Sequence, residues 1–187
     1  KSKDIAESNN VYDLDEGHSK DNPRLTRIKL PHKQDPYFWN ILEESKIKSI
    51  ITSILGEDVL LQTSKLNTKA PGGGASVEWH QDMAFYPLTN DSALAVGLFL
   101  EDITLENGPL QVLPKSHKGP ILDHSNSDGV FCGAINPDDP NFEKDKIFTI
   151  TGKAGDMSIH HGRILHGSAP NKSDRPRLMI FYECNSA

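Results

Sequence analysis

The feature that most restricts the fold is a change of hydrophobic period at Gly56. Between Phe38 and Leu55, apolar residues recur at spacings of three and four, which predicts one helix with Asp35 as its N-cap and Pro36 at its first position. Gly56 suits the end of that helix. After it, short apolar runs alternate with turn signals. One helix followed by many short strands predicts a mainly β fold, a sandwich or barrel with the helix on one face.

The predicted strands are short segments of apolar or alternating character, at 24–33, 59–67, 77–82, 94–101, 110–113, 147–151, 156–161, 164–168 and 177–183. Residues 1–22 have no periodicity and are predicted as a loop. The turn signal Asn107-Gly108 predicts that 110–113 returns against 94–101 as a hairpin. The long polar segment 114–146 is predicted to be a loop over a site.

Length and composition predict one domain, long enough to bury a core. The net charge of −6 argues against nucleic acid as a partner. There is no apolar run of membrane-spanning length and no signal-peptide pattern, so a cytoplasmic protein without a membrane partner is expected. Cys132 and Cys184 are predicted to be free thiols in a reducing compartment. The chain is expected to lack terminal segments, and its oligomeric state stays open.

The candidate metal site starts from Trp79-His80-Gln81-Asp82. On an extended segment, His80 and Asp82 point to the same side, because side chains alternate with period 2. One imidazole and one carboxylate form two thirds of a 2-His-1-carboxylate iron site. His166, followed by Gly-Ser, is the preferred third ligand. His160 is a competing ligand, and His161 competes too or orients the site from behind it.

Arg177 lies eleven residues after His166, and its fork suits bidentate binding of a carboxylate. It is therefore predicted to anchor an acid that chelates the metal. Arg175 is the rival anchor, but Pro176 makes a strand through both arginines unfavourable. The basic residues of 24–33 are interpreted either as a solvated edge or as a rim for an anionic substrate. The histidines at 18, 32 and 124 are predicted to lie on the surface, and His117 is predicted to lie in a solvated turn.

Four stretches together resemble one known family, and they are Trp79–Asp82, Glu106–Leu110, Leu113–Gly119, and Gly155-Asp156 through His166–Asn171 to Arg175–Arg177. In their order and spacing, over about residues 59–184, the chain resembles the phytanoyl-CoA dioxygenase family of Fe(II)/2-oxoglutarate-dependent oxygenases. The resemblance implies a double-stranded β-helix, a jelly-roll or cupin-like fold. It also implies a single dioxygenase domain over 1–187, with 59–184 as its recognisable β core.

The resemblance carries specific roles onto this chain. His80, Asp82 and His166 match the iron triad, and Arg177 matches the arginine for the distal carboxylate of 2-oxoglutarate. Ser168, two residues past the second histidine, matches a hydroxyl that assists this arginine, and Asn67 matches a polar contact to 2-oxoglutarate in some members. The implied cofactors are Fe(II) and 2-oxoglutarate.

The implied reaction is hydroxylation of a small organic substrate with O₂, which releases succinate and CO₂. The substrate class stays open and includes anionic or zwitterionic molecules. Asp82 favours hydroxylation over halogenation, because related halogenases carry a small residue there. Lys115 departs from the glycine that many members have. Two alternatives remain: a Zn-dependent hydrolase on the same ligands, and a non-catalytic β-sandwich binding module.

Overall fold

The structure is a computed structural model that describes residues 4–86 and 88–187; the start of the predicted 1–22 loop, residues 1–3, lies outside them. The helices are α1 Pro31–Gln34, α2 Pro36–Glu44 and α3 Lys46–Leu55. The strands are β1 Tyr12–Leu14, β2 Leu25–Lys29, β3 Val59–Lys69, β4 Val77–His80, β5 Ala93–Phe99, β6 Leu110–Val112, β7 Phe148–Ile150, β8 Met157–His161, β9 His166–Ser168 and β10 Arg177–Ser186. Short 3₁₀ turns cover Asp82–Ala84, Ser116–Lys118 and Lys144–Lys146.

The strands form two antiparallel sheets. The six-stranded sheet has the order β1-β2-β3-β10-β5-β8, and the four-stranded sheet has the order β4-β9-β6-β7. The long strands β3 and β10 lie side by side at the centre of the larger sheet. The predicted mainly β fold is thereby confirmed.

The predicted single helix is wrong in one respect, because it is broken at Ser45. The backbone of Ser45 is extended, and its hydroxyl accepts a hydrogen bond from the Ile47 amide at 3.1 Å. Ser45 therefore caps a second helix, as short hydroxyl side chains commonly do. The two outer ends of the predicted helix are confirmed. Asp35 caps α2 by accepting from the Tyr37 amide, and Gly56 follows α3 with φ 95°.

The helices pack on one face of the larger sheet. Leu42, Ile47 and Ile51 are buried in one cluster with Val96 and with three even-numbered residues of β10, Ile180, Tyr182 and Cys184. Fully burying an aliphatic side chain of this size contributes roughly 1.5–3 kcal/mol. Because strand side chains alternate, the odd-numbered residues of β10 face the opposite side, where a cleft lies between the two sheets. The helices thus hold the outer face and leave the inner face for a site.

Two predicted connections differ from the structure. Tyr12–Leu14, predicted as loop, is a strand that pairs with β2. The strand β6 does not return against β5 as a hairpin; it crosses to the other sheet and pairs with β7 and β9. The intervening Asn107-Gly108 turn does form, with φ 76° at Gly108. The turn signal was therefore right locally, but it does not decide which sheet receives the next strand.

The predicted loop 114–146 contains short 3₁₀ turns and one isolated antiparallel bridge between Ser125 and Phe131, and part of it is packed. Its residues Leu122, Ile135 and Phe142 are buried, and the Phe142 ring lies 4.8 Å from the ring of Trp79. Both cysteines are free within the described part of the chain. No helix among the described residues is long and apolar enough to cross a membrane.

Candidate active site

The structure brings His80, Asp82 and His166 together at one end of the cleft. His80 is the last residue of β4 and His166 the first of β9, and the two stand opposite each other across the strand pair. One carboxylate oxygen of Asp82 lies 3.7 Å from Nε2 of His80 and 3.7 Å from Nε2 of His166. The potential ligand atoms of the three residues all lie within 4.8 Å of one another. This spacing can hold one metal ion.

Asp82 reaches this position differently from the prediction. The strand β4 ends at His80, and Asp82 begins a 3₁₀ turn. Gln81 between them keeps an extended backbone, with φ −123° and ψ 127°. One extended residue is enough to direct its two neighbours to the same side. The predicted alternation is therefore right at this step, although the strand itself is shorter.

The two histidine rings are held with Nε2 directed to the site. The Nδ1 atom of His80 lies 2.7 Å from the Glu78 carbonyl, and that of His166 lies 3.0 Å from the Ile164 carbonyl. A carbonyl only accepts, so each Nδ1 carries the proton and each Nε2 keeps a free lone pair. Such a partner behind the ring orients many metal-binding histidines.

The protonation states also suit a metal. Burial lowers the pKa of His166 to about 3, so its imidazole is neutral near pH 7. Burial alone would raise the pKa of Asp82, but the imidazoles of His166, His160 and His80 beside its carboxylate hold that pKa well below its usual range. A carboxylate beside neutral imidazoles is the form that binds cations.

Gln81, between the two candidate ligands, is fully buried and anchors the 114–146 loop. Its amide nitrogen donates to the carbonyls of Arg163 (2.7 Å) and Pro120 (3.1 Å), and its amide oxygen accepts from the Leu122 N–H (2.8 Å). Its backbone N–H donates to Nε2 of His124 at 2.9 Å. The loop therefore holds the segment that carries His80 and Asp82 in place.

The prediction that His124 lies on the surface is wrong, since the residue is buried. Its Nδ1 donates to the Leu122 carbonyl at 2.8 Å while Nε2 accepts from Gln81. The ring is therefore neutral, and burial lowers its pKa. Gln81 and His124 lie 43 residues apart in sequence, so no local pattern predicts their contact.

His160, not His161, faces the candidate metal site. His160 is buried and its Nε2 lies 3.5 Å from the second carboxylate oxygen of Asp82. His161 points to the other side of β8, where its Nδ1 accepts from the Arg163 amide at 3.1 Å. The idea that His161 orients the site is wrong, because strand alternation gives that place to its neighbour.

Arg177 lies at the start of β10, buried, and lines the same cleft. One of its terminal nitrogens donates to the Gly108 carbonyl at 3.2 Å, while its Nε has no hydrogen-bond partner among the described residues. Burial lowers its pKa to about 10, which keeps the guanidinium charged at neutral pH. The rival Arg175 is exposed and does not line the cleft.

Lys69, which the sequence analysis missed, stands opposite Arg177 across the β3–β10 pair. It is buried, and its ammonium donates to the carbonyls of Ala75 (2.7 Å) and Ala169 (2.6 Å). Burial and the nearby Arg177 lower its pKa to about 7. It therefore fixes the backbone just after Ser168.

The other predicted cofactor residues also line the cleft. Ser168 is buried on β9, and the side-chain oxygen of Asn67 accepts from Nε of Arg27 at 3.2 Å. The cleft has an empty volume of about 570 Å³, which includes space that is open to solvent.

Of the basic residues predicted for a rim, only Arg27 lines the cleft. Lys65 and Glu183 also line it and form an ion pair at 2.5 Å. The sequence analysis missed both. The alternation of side chains along a strand could have predicted both residues. Lys65 is two residues before Asn67 and Glu183 is six after Arg177, so each shares a face with a predicted site residue.

The comparisons with known proteins agree with this geometry. The family model of phytanoyl-CoA dioxygenase matches residues 4–179. A probable alpha-ketoglutarate-dependent hypophosphite dioxygenase of Stutzerimonas stutzeri is 38% identical over 98% of this chain and 65% of its own length. A phytanoyl-CoA dioxygenase of Arabidopsis thaliana is 29% identical over 87% of this chain and 58% of its own length.

A solved structure is similar as well, that of EctD from S. alaskensis with 2-oxoglutarate and 5-hydroxyectoine. It has a TM-score of 0.74 and 25% identity, and the match covers 87% of this chain and 57% of EctD. This likeness confirms the predicted jelly-roll fold. The chain spans about 60% of the length of these relatives. With the family model matching nearly every residue, the chain belongs to the phytanoyl-CoA dioxygenase family.

Proposed function

We propose that this chain forms the catalytic core of an Fe(II)- and 2-oxoglutarate-dependent oxygenase that acts on a small molecule with O₂. The observation that carries the proposal is the convergence of His80, Asp82 and His166 on the cleft that also holds the buried Arg177. Relatives named as hypophosphite and phytanoyl-CoA dioxygenases support the reaction class.

The donor set fits Fe(II). Two neutral imidazoles and one carboxylate are the ligands of the facial triad, which leaves coordination positions open. His80, Asp82 and His166 would hold the ion, each already directed to it by a partner behind it or by the turn. When bound, the iron and 2-oxoglutarate supply an oxidation by O₂ in which the cosubstrate leaves as succinate and CO₂.

Arg177 would bind the distal carboxylate of 2-oxoglutarate. Its guanidinium is buried, charged and only partly hydrogen-bonded, so a carboxylate can still pair with its fork. Ser168 and Asn67 line the cleft near it and would add polar contacts to the acid. Arg27 holds the Asn67 oxygen, which leaves the Asn67 amide nitrogen as the donor toward the cleft.

The test is an anaerobic titration with Fe(II) and then 2-oxoglutarate. Wild type is expected to give a visible charge-transfer band and, after O₂ is admitted, succinate. Arg177→Met should raise the 2-oxoglutarate concentration for half-saturation roughly 10- to 100-fold, because a charge-assisted pair is lost. Iron affinity should stay unchanged, and Arg175→Met is the matched control on the exposed neighbour. A wild-type protein without the band would contradict the proposal.

The proposal includes a cytoplasmic location. It is supported by Cys132, which is exposed and free, and by Cys184, which is buried and free. Mapping of the thiols in protein isolated from its natural host would test it, and a disulfide-bonded Cys132 would contradict it.

A further inference from the structure

The cleft contains a second polar region, beyond the candidate metal ligands and Arg177. Ala95 on β5 stands between His160 on β8 and Glu183 on β10, directly paired with each. Adjacent strands lie about 4.8 Å apart, so the backbones of His160 and Glu183 flank a gap roughly 10 Å wide. All three residues line the cleft. The floor of that gap is a single methyl group.

His160 forms one side of this gap, and its unpaired ring nitrogens indicate that a ligand binds there. The residue is buried, and both ring nitrogens lack a hydrogen-bond partner among the described residues. Buried polar atoms in native proteins are nearly always paired. An imidazole N–H that has no acceptor among the described residues can donate to a ligand oxygen in the gap.

The other side of the gap offers further donors. Lys65 uses one of its ammonium hydrogens on Glu183, and the others have no partner among the described residues, so a ligand can accept them. The Glu183 carboxylate is already occupied, because it also accepts the Tyr86 hydroxyl hydrogen. The region therefore presents donors, while its carboxylate is engaged.

Charge points the same way. Three cations line the cleft, Arg27, Lys65 and Arg177, against the carboxylates of Asp82 and Glu183. Arg27 also lies 3.9 Å from Asp13, which Lys29 shares, so the cations still exceed the carboxylates by one when this pair is counted, and the charges of Fe(II) and the 2-oxoglutarate dianion would cancel. A substrate with a single negative charge would neutralise this excess charge.

We propose that the substrate is a small oxyanion with a net charge of about −1, bound by Lys65 and His160 over Ala95. The class is a carboxylate or phosphorus oxyanion, with the group to be oxidised directed to the iron. This deepens the proposed function and rests on it.

The experiment uses the anaerobic complex of the protein with Fe(II) and 2-oxoglutarate. The probes are hypophosphite, methylphosphonate and propionate, with propionamide and ethylamine as neutral and cationic controls. At least one oxyanion is expected to shift the charge-transfer band in a saturable way, while both controls leave it unchanged. The identity of the oxyanion separates carboxylate from phosphorus substrates.

Variants assign the effect to the gap. Lys65→Met should weaken oxyanion binding roughly 10- to 100-fold, as expected when a charge-assisted hydrogen bond is lost. Lys29→Met is the matched control, since Lys29 stands opposite Lys65 in the sheet but binds Asp13 and does not line the cleft. Ala95→Leu should abolish oxyanion binding by filling the floor.

Further variants guard against a fold defect. The double variant Lys65→Met/Glu183→Gln leaves no unpaired charge and should show the same weakening. His160→Leu should weaken oxyanion binding, with His161→Leu as control. Equal binding of propionamide, displacement of 2-oxoglutarate by the oxyanion, or unchanged affinity in the Lys65 variants would overturn the inference. A missing band in wild type would instead overturn the proposed function, and the inference with it.

Discussion

The two walls of the cleft are built in different ways. The wall with Arg177 consists of long strands, 11 residues in β3 and 10 in β10, paired along their length. The wall with the candidate metal ligands consists of short strands, four residues in β4 and three in β9. Side-chain hydrogen bonds to a loop complete that second wall.

This difference separates two sources of precision. On the long-strand wall, the backbone ladder sets each side-chain direction through alternation, and one changed residue leaves the rest in place. On the short-strand wall, Gln81, His124 and the partners of the histidine Nδ1 atoms set the directions one by one. The short-strand wall, which carries the candidate metal ligands and is called the metal wall below, should therefore be much more sensitive to a single substitution behind its ligands.

The largest expected effect is loss of the metal from the short-strand wall in His166→Ala. Removing one of three protein ligands should lower Fe(II) affinity by more than about 100-fold, the upper range for loss of a partner behind a ligand. Isothermal titration under argon measures it. His161→Ala, on the other side of β8, should bind iron normally. Undiminished iron binding by His166→Ala would show that another residue is the ligand.

The next effect comes from Gln81→Leu, which changes no ligand. The substitution leaves the buried Leu122 amide without its partner, at about 1–3 kcal/mol for such a group, and also removes the hydrogen bonds to the partly buried Pro120 and Arg163 carbonyls. A loss of about 2–4 kcal/mol in the free energy of unfolding is expected, together with weaker iron binding.

Urea unfolding and iron titration of the same Gln81→Leu sample measure both effects. Gln62→Leu is the control on an exposed position of β3 and should change stability by less than about 0.5 kcal/mol. If Gln81→Leu were as stable as the control, the loop would not hold the metal wall.

The same difference decides what the sequence can predict. Alternation predicts the long-strand wall well: Asn67 and Arg177 share a face with Lys65 and Glu183, and all four line the cleft. The pair His80 and Asp82 was found because it needs only one extended residue between them. These signals are local, because the residues of each pair lie only two or six positions apart in the sequence.

The supports of the metal wall are not local. His124 contacts Gln81 across 43 residues, and only the packed loop brings them together. Likewise, a turn signal at Gly108 fixes the bend but not the sheet that β6 joins. The break at Ser45 was missed because a capping hydroxyl competes with an unbroken apolar stripe.

A smaller effect, again on the metal wall, is the loss of folding stability that we expect when the pH is lowered. The pKa of His166 is lowered to about 3 and that of His124 is lowered, both by burial, so the unfolded chain binds protons that the folded chain excludes. Stability therefore falls as the pH drops below 6.5, the usual pKa of histidine. For His166 alone, the loss between pH 7 and pH 5 is about 2 kcal/mol.

Urea unfolding of the metal-free protein across that range measures the acid effect. His166→Gln should flatten the profile, whereas Gln62→Leu, which removes no titratable group from its exposed position on β3, should leave the shape of the profile unchanged. A stability that rises toward pH 5 would contradict the assignment of a neutral buried imidazole.

The smallest effect is a gain in stability from Lys115→Gly, at the start of the loop that supports the metal wall. Lys115 has φ 70° and ψ −2°, in the left-handed region that costs a side chain roughly 1 kcal/mol. The next residue, Ser116, accepts the Leu165 amide at 2.8 Å, so the turn cannot relax freely. We expect a gain of about 0.5–1 kcal/mol by urea unfolding, with iron affinity unchanged. Lys118→Gly, at an exposed position of the same turn without a positive φ, should lower stability instead. Equal losses in both variants would mean that the backbone at Lys115 is not strained, and that the loop is held to the metal wall by its side-chain contacts alone.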